Sequence, residues 1–264
     1  MDLNKAIGSI EKQIKEYVGE RKAVIGLSGG IDSSVIAYLC VRALGRENVL
    51  GISMPCRDPE NGKLDVSSDD SIGDAYCVAQ ELNIEFLVRN IALAVKAFSD
   101  FEGGDMQDLT LGNIMARVRM VTLYMYANGF NGMVIGTTNK TEAAIGYYTK
   151  YGDGAVDVEP IADVYKTEVW EIAKIIGVPQ KIIDKKPSAE LWEGHSDEDE
   201  IGMTYGKMDE ILIGMEKNSL EASGVYIPIE ESYGRESVER VRGLVKNSEH
   251  KRHMPPAFKV RDDI

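Results

Sequence analysis

Apolar residues recur at three- and four-residue spacing over 4–18, where Ile7, Ile10, Ile14 and Val18 fall on one side of an amphipathic helix. Beyond Arg21 the pattern changes to short apolar runs separated by longer helical ones. Ala23–Leu27, Val49–Met54, Glu85–Val88 and Met133–Gly136 read as strands, and Ser33–Leu44, Asp70–Leu82 and Leu111–Asn128 as the helices between them. Nearly continuous apolar strands alternating with helices predict an α/β fold, a parallel sheet covered on both faces. Ligands of such sheets bind beyond the carboxyl ends of the strands, where 28–33 and 137–142 would both lie. The second half is less regular. A helix is predicted from about Lys166 and is closed by Gly177 and Pro179, and two more cover Tyr205–Glu216 and Glu236–Asn247. The acidic, turn-rich stretch 187–202 reads as a loop.

Charge narrows the function classes. Thirty basic against 43 acidic residues leave a net charge of −13, and no basic tract stands out. That argues against nucleic acid as a partner, since such binding rests on Lys and Arg neutralising phosphates. A small anion held by a few local cations stays open. Cys40, Cys56 and Cys77 form no CxxC and lie in or beside apolar segments, so they are expected to be buried or half-buried free thiols in a reducing compartment. The first residues are charged throughout, unlike a signal peptide, and no apolar run approaches the ~20 residues that cross a bilayer. The expectation is a cytoplasmic protein with no membrane contact.

The candidate chemistry begins at "GLSGGIDSS", Gly26 to Ser34, between an apolar strand and a helix start. Gly29 and Gly30 let the backbone approach a ligand, the helix start offers unpaired N–H groups, and Ser28, Ser33 and Ser34 add hydroxyls. The lysine of a P-loop is missing, and Asp32 stands in the turn instead. An aspartate repels bare phosphate but suits Mg²⁺ carried by a nucleoside triphosphate. The set fits release of pyrophosphate better than transfer of a γ-phosphoryl group. On spacing alone, a turn whose glycines only ease packing is the other reading.

The turn resembles the SGGxDS loop of the ATP pyrophosphatases, which adenylate a substrate with ATP. The stretch 136–169, "GTTNKTEAAIGYYTKYGDGAVDVEPIADVYKTEV", resembles the signature region of the NAD synthetases within that group. "GNIMARVRM", "KPSAELW" and "HKR" match further motifs of that family in order, so the resemblance runs from Arg21 to about Pro256. It implies a Rossmann-like, doubly wound parallel sheet of the adenine nucleotide alpha hydrolase type. It also implies amidation of deamido-NAD to NAD by ammonia through an NAD-adenylate, with AMP and pyrophosphate released.

Residue roles follow from the same resemblance. ATP would be held by Gly26, Leu27, Ser28, Gly29, Gly30, Ile31, Asp32, Ser33, Thr137, Lys166 and Ser188, with Lys186 beside the last. Mg²⁺ would be held by Asp32 and Glu142, and deamido-NAD by Arg117, Lys150, Asp157, His250 and Lys251. Asp32, Lys166 and Asp157 are the catalytic candidates. Read without the family, Thr137 is equally a cap for a helix beginning near Asn139, and Glu142 an exposed helix carboxylate. Arg119 lies two residues from Arg117 and points elsewhere around the helix, so one of the two reaches a given phosphate, and Arg117 is the expected one. His250 and His253 have an HxxH spacing without a third zinc ligand. Trp192 and Tyr148 read as packing residues, and His195 replaces the family's usual glutamine.

Only about twenty residues precede the first strand, which leaves no room for a glutaminase. A single domain over 1–264 using free ammonia is expected, from solution or from a separate glutaminase, in a homodimer as the family implies. Two rival classes fit the sequence less well. A tRNA thiolase would need catalytic cysteines and a basic surface, and a non-catalytic nucleotide-binding module would not need Asp32 and Glu142 together.

Overall fold

A computed structural model describes residues 2–57, 69–101, 107–188, 196–219 and 228–258. Helix α1 (Leu3–Val18) starts where the Asp2 side chain accepts the Lys5 N–H, and buries Ile7, Ile10, Ile14 and Val18. Next come β1 (Lys22–Gly26), α2 (Ile31–Leu44), β2 (Val49–Ser53), α3 (Asp69–Leu82), β3 (Glu85–Val88), α4 (Ala92–Phe101), α5 (Asp108–Gly129) and β4 (Gly132–Ile135). The strands pair in parallel in the order β3-β2-β1-β4, with Ala23 opposite Val49 and Met133.

Both faces of this sheet are buried at β1, β2 and β4, and the two-residue period of these strands divides the sheet between two cores. Ala23, Ile25, Val49, Met133 and Ile135 pack with α1, α2 and α3 and with Val169, Ile172, Ala173 and Ile176 of α7 (Lys166–Ile176). Val24, Leu50, Ile52 and Val134 pack on the other side, against Val95 of α4 and Met115 and Val118 of α5. This is the doubly wound arrangement. Since α2 is held between the sheet, α1 and α7, nearly all its first three turns are buried.

The rest of the chain builds a third core. The remaining helices are α6 (Lys140–Ile145), α8 (Gln180–Ile183), α9 (Asp197–Ile201), α10 (Tyr205–Ser219), α11 (Ile229–Tyr233) and α12 (Arg235–Asn247). Ile145, Ile201, Tyr205, Met208, Ile211, Ile229, Val238 and Val241 meet there, while α8 joins the first core through Ile182 and Ile183.

Three expectations change. The span 187–202 is not loop throughout, because α9 forms in it; its first turn is wholly acidic, Asp197 to Glu200, which favours the positive end of the helix dipole. Helix α4 occupies a stretch left unassigned between β3 and α5. Cys40 and Cys56 are buried, but Cys77 is exposed on α3.

Candidate functional site

The glycine turn closes β1 over its carboxyl end. Leu27 extends the strand pairing by donating its N–H to the Ile52 carbonyl. Gly29 then adopts φ +81°, and a Cβ there would lie 2.4 Å from the Ser71 carbonyl oxygen of α3, so the position requires glycine twice over. Gly30 caps α2 without a side chain. Its N–H donates to Ser28 Oγ at 3.1 Å, and its carbonyl accepts from Ser33 Oγ at 3.1 Å and Ser34 Oγ at 2.8 Å. The serines thus hold the turn in shape, and the first residues of α2, whose N–H groups lack intrahelical acceptors, line the cavity and suit an anion.

Asp32, in the first turn of α2, meets residues from two other elements. Its Oδ1 accepts from Asn139 Nδ2 at 3.0 Å and its Oδ2 from Lys166 Nζ at 2.5 Å. The same ammonium donates to Glu142 Oε1 at 3.3 Å. Asn139 and Glu142 form a reciprocal capping box at the start of α6: Asn139 Oδ1 accepts the Glu142 N–H at 3.0 Å, and Glu142 Oε2 accepts the Asn139 N–H at 3.2 Å. Asn139 therefore orients both carboxylates at once. The N-x-x-E pattern at 139–142 carries this signal in the sequence, and Asn139 rather than Thr137 is the cap; Thr137 lines the cavity.

Lys166 is 2 % exposed at the start of α7, and a charge buried that deeply requires partners. Burial pulls its ammonium toward the neutral form, but Asp32 and Glu142 outweigh that and hold its pKa above the ordinary lysine value. Burial lifts Glu142 above the usual carboxylate range, against the opposing pull of Lys166. When both carboxyls are ionised, they leave one negative charge in excess of the single ammonium. Among the described residues no cluster of three or more His, Cys, Asp or Glu side chains is arranged for a metal. A Mg²⁺ that arrives on ATP needs only one or two carboxylates beside the phosphates, and the cation already seated between Asp32 and Glu142 shows that the pair fits positive charge.

These groups line a cavity of about 600 Å³ at the carboxyl ends of β1, β2 and β4. Of the predicted residues, Gly26, Leu27, Ser28, Gly30, Ile31, Asp32, Ser33, Thr137, Glu142, Lys166, Ser188 and Lys251 form its wall. Gly29 sits behind it against α3. Four others lie outside the wall. Arg117 is exposed and donates to the Lys150 carbonyl at 3.2 Å, while Lys150 Nζ donates to the His250 carbonyl, which gathers these three at one rim. It is Arg119, bonded to the Met54 carbonyl at 3.2 Å, that faces the cavity. Asp157 is engaged by the framework: its Oδ2 accepts the Val134 N–H of β4 at 2.8 Å and its Oδ1 the Tyr124 hydroxyl at 3.2 Å.

Lys251 donates to the Gly146 and Tyr148 carbonyls at 2.7 and 2.6 Å, and burial lowers its pKa. Arg252 spans the ends of α6 and α12 through the Ala144 and Val245 carbonyls, so the basic triplet is part scaffold. Trp192 and His195 lie outside the described residues. Tyr205 and Asp197 belong to the site and were not found in the sequence. Asp197 lines the cavity and accepts the Tyr205 hydroxyl at 3.1 Å.

Residues 3–255 match the family model described as NAD synthase. An NH(3)-dependent NAD(+) synthetase of Pyrococcus furiosus is 44% identical over 264 residues, covering 100% of this chain and 98% of that one. Among solved structures, the NMN synthetase from Francisella tularensis matches with a TM-score of 0.83 and 33% identity, covering 98% of this chain and 100% of that one. The NH3-dependent NAD synthetase from Campylobacter jejuni, in complex with nitrate, matches with a TM-score of 0.77 and 29% identity over the same shares. A family model matched over residues 3–255 and a relative 44% identical over the whole length place the chain in one family: it belongs to the NAD synthases.

Proposed function

We propose that this chain, as a single NAD synthetase domain, converts deamido-NAD to NAD with ATP and ammonia. The observation that carries the reading is the meeting of Asp32, Glu142 and Lys166, from three separate elements, beside a turn of backbone donors. A nicotinate carboxylate resists ammonia because its oxygen is a poor leaving group. Its attack on the α-phosphorus forms an acyl–O–P bond and breaks the bond to pyrophosphate. Ammonia then forms the amide at the activated carbon, and AMP departs with the carboxylate oxygen. The N–H groups of α2 and the Ser28 hydroxyl bind the departing pyrophosphate, and Lys166 stabilises the charge that grows at the α-phosphorus. Magnesium, held by Asp32 and Glu142, would draw off charge from the phosphates when bound. Lys150, His250 and Arg117, gathered at the rim, are suited to the distal phosphate of the dinucleotide, and Asp157 acts through β4.

The curated relative's name supports ammonia as the donor, and a separate glutaminase would serve as its source in the cell. Exposed Leu93, Phe98, Leu109, Val121 and Met125 on α4 and α5 support a homodimer. No helix among the described residues is long and apolar enough to cross a membrane. The test is incubation of the purified chain with deamido-NAD, Mg-ATP and ammonium. NAD, AMP and pyrophosphate should form in equal amounts, whereas ADP and inorganic phosphate would overturn the reading. The likeness to an NMN synthetase favours one second reading, the nicotinate mononucleotide as acceptor. A parallel incubation with that mononucleotide decides between them.

A further inference from the structure

The ammonium of Lys166 rests on a ring as well as on two carboxylates. Its Nζ lies 4.9 Å from the centroid of Tyr205, over the ring face, and Tyr205 is fully buried at the start of α10. Three further contacts fix that ring. Its hydroxyl donates to Asp197 Oδ2 at 3.1 Å and lies 3.5 Å from Glu142 Oε1, and Trp170 of α7 packs against it edge-on at 6.1 Å.

We propose that Tyr205 is a positioning residue for adenylation, a seat that holds the Lys166 ammonium at the reacting phosphate through the face of its ring. This inference rests on the adenylating reading given above. A lysine ammonium has three N–H groups. Asp32 and Glu142 take two of them, the ring face is a further direct contact of the charge, and Asp197 adds a longer-range attraction. The third N–H is the one an incoming phosphate oxygen can take, and the charge growing on that phosphate then draws the ammonium away from the carboxylates. A carboxylate competes with phosphate for N–H groups. An aromatic face does not, because it attracts the charge as a whole without taking a directed hydrogen bond. The ring therefore keeps the ammonium in place while its hydrogen-bond partners change, and burial strengthens that attraction.

The test changes the charge on the ring face while keeping its size. Tyr205→Phe is the reference, compared with chains carrying phenylalanine with one, two or three ring fluorines at position 205. Fluorination withdraws negative potential from the face. Pyrophosphate release is followed in a single turnover with Mg-ATP and deamido-NAD, and melting temperature and the KM for deamido-NAD are measured for each chain. The rate should fall stepwise, by at least about fivefold from the reference to the trifluoro form, with KM and melting temperature unchanged. A rate that stays flat across the series, or that falls only in step with melting temperature, overturns the inference. Failure of the unaltered chain to form NAD would overturn the adenylating reading instead, so the two failures are distinguishable.

Discussion

Replacing Lys166 by methionine tests the electrostatics of the site apart from catalysis. Methionine nearly preserves the length and volume of the side chain, so little of the effect comes from a cavity. What is lost is an ammonium 2 % exposed that bonds Asp32 at 2.5 Å and Glu142 at 3.3 Å. At that range each attraction is gross several kcal/mol, and removing one member of a buried ion cluster costs about 3–5 kcal/mol net. That cost should depend on pH. Burial already lifts Glu142 above the usual carboxylate range, with Lys166 opposing, so loss of the lysine lifts it further. A carboxyl whose pKa is higher in the folded than in the unfolded chain contributes stability present at low pH and lost as pH rises through the folded value. The variant's deficit should therefore be larger near pH 9, above the value of about 8 that Glu142 has in the intact chain, than near pH 5.5, where Glu142 keeps its proton in both folded chains. Urea unfolding of both chains at the two pH values, without magnesium, measures it. A deficit under about 1 kcal/mol, or one equal at both pH values, would refute the assignment of Lys166 as the counter-charge of this pair.

Asp32→Asn keeps an acceptor for Lys166 but weakens the hard-oxygen pair, so NAD formation should be abolished while the circular dichroism spectrum stays unchanged; retained turnover would remove the metal role. Gly29→Ala should cost at least about 2 kcal/mol in a denaturant titration, since it adds both a strained φ and a contact with the Ser71 carbonyl. Asn139→Ala removes a cap worth about 1 kcal/mol and releases Asp32, so the magnesium concentration at half-maximal rate should rise about tenfold; an unchanged magnesium dependence would show that Asn139 serves α6 alone.

The sheet was legible because three of its four strands, β1, β2 and β4, are buried on both faces. Runs such as Ala23–Leu27 and Val49–Met54 have no other use, and each agrees with its observed strand to within one residue at either end. Helices with a clear stripe or a glycine stop, α1 and α7, were equally plain. The short helices α8, α9 and α11 were not, because so few residues carry too little periodicity and their folding depends on tertiary contacts. The same divide runs through the site. Asp32, Glu142 and Lys166 stood in recognisable motifs. Asp157 and Arg117 stood in motifs too, yet position in a motif does not tell a cavity wall from the framework behind it. Tyr205 left no signal at all: it sits 39 positions beyond Lys166 in a stretch where aromatic residues ordinarily pack cores.

Helix α10 carries polar and apolar contacts on one face. Tyr205 presses on the lysine and, one turn later, Asp209 accepts from the Thr141 hydroxyl and the Thr167 N–H at the heads of α6 and α7. Between them Met208 faces the apolar interior of the C-terminal helices. A hydrophobic substitution at Met208 or Ile211 would thus shift the lysine without touching any ligand, and a fault in oily packing would surface at the bench as slow chemistry.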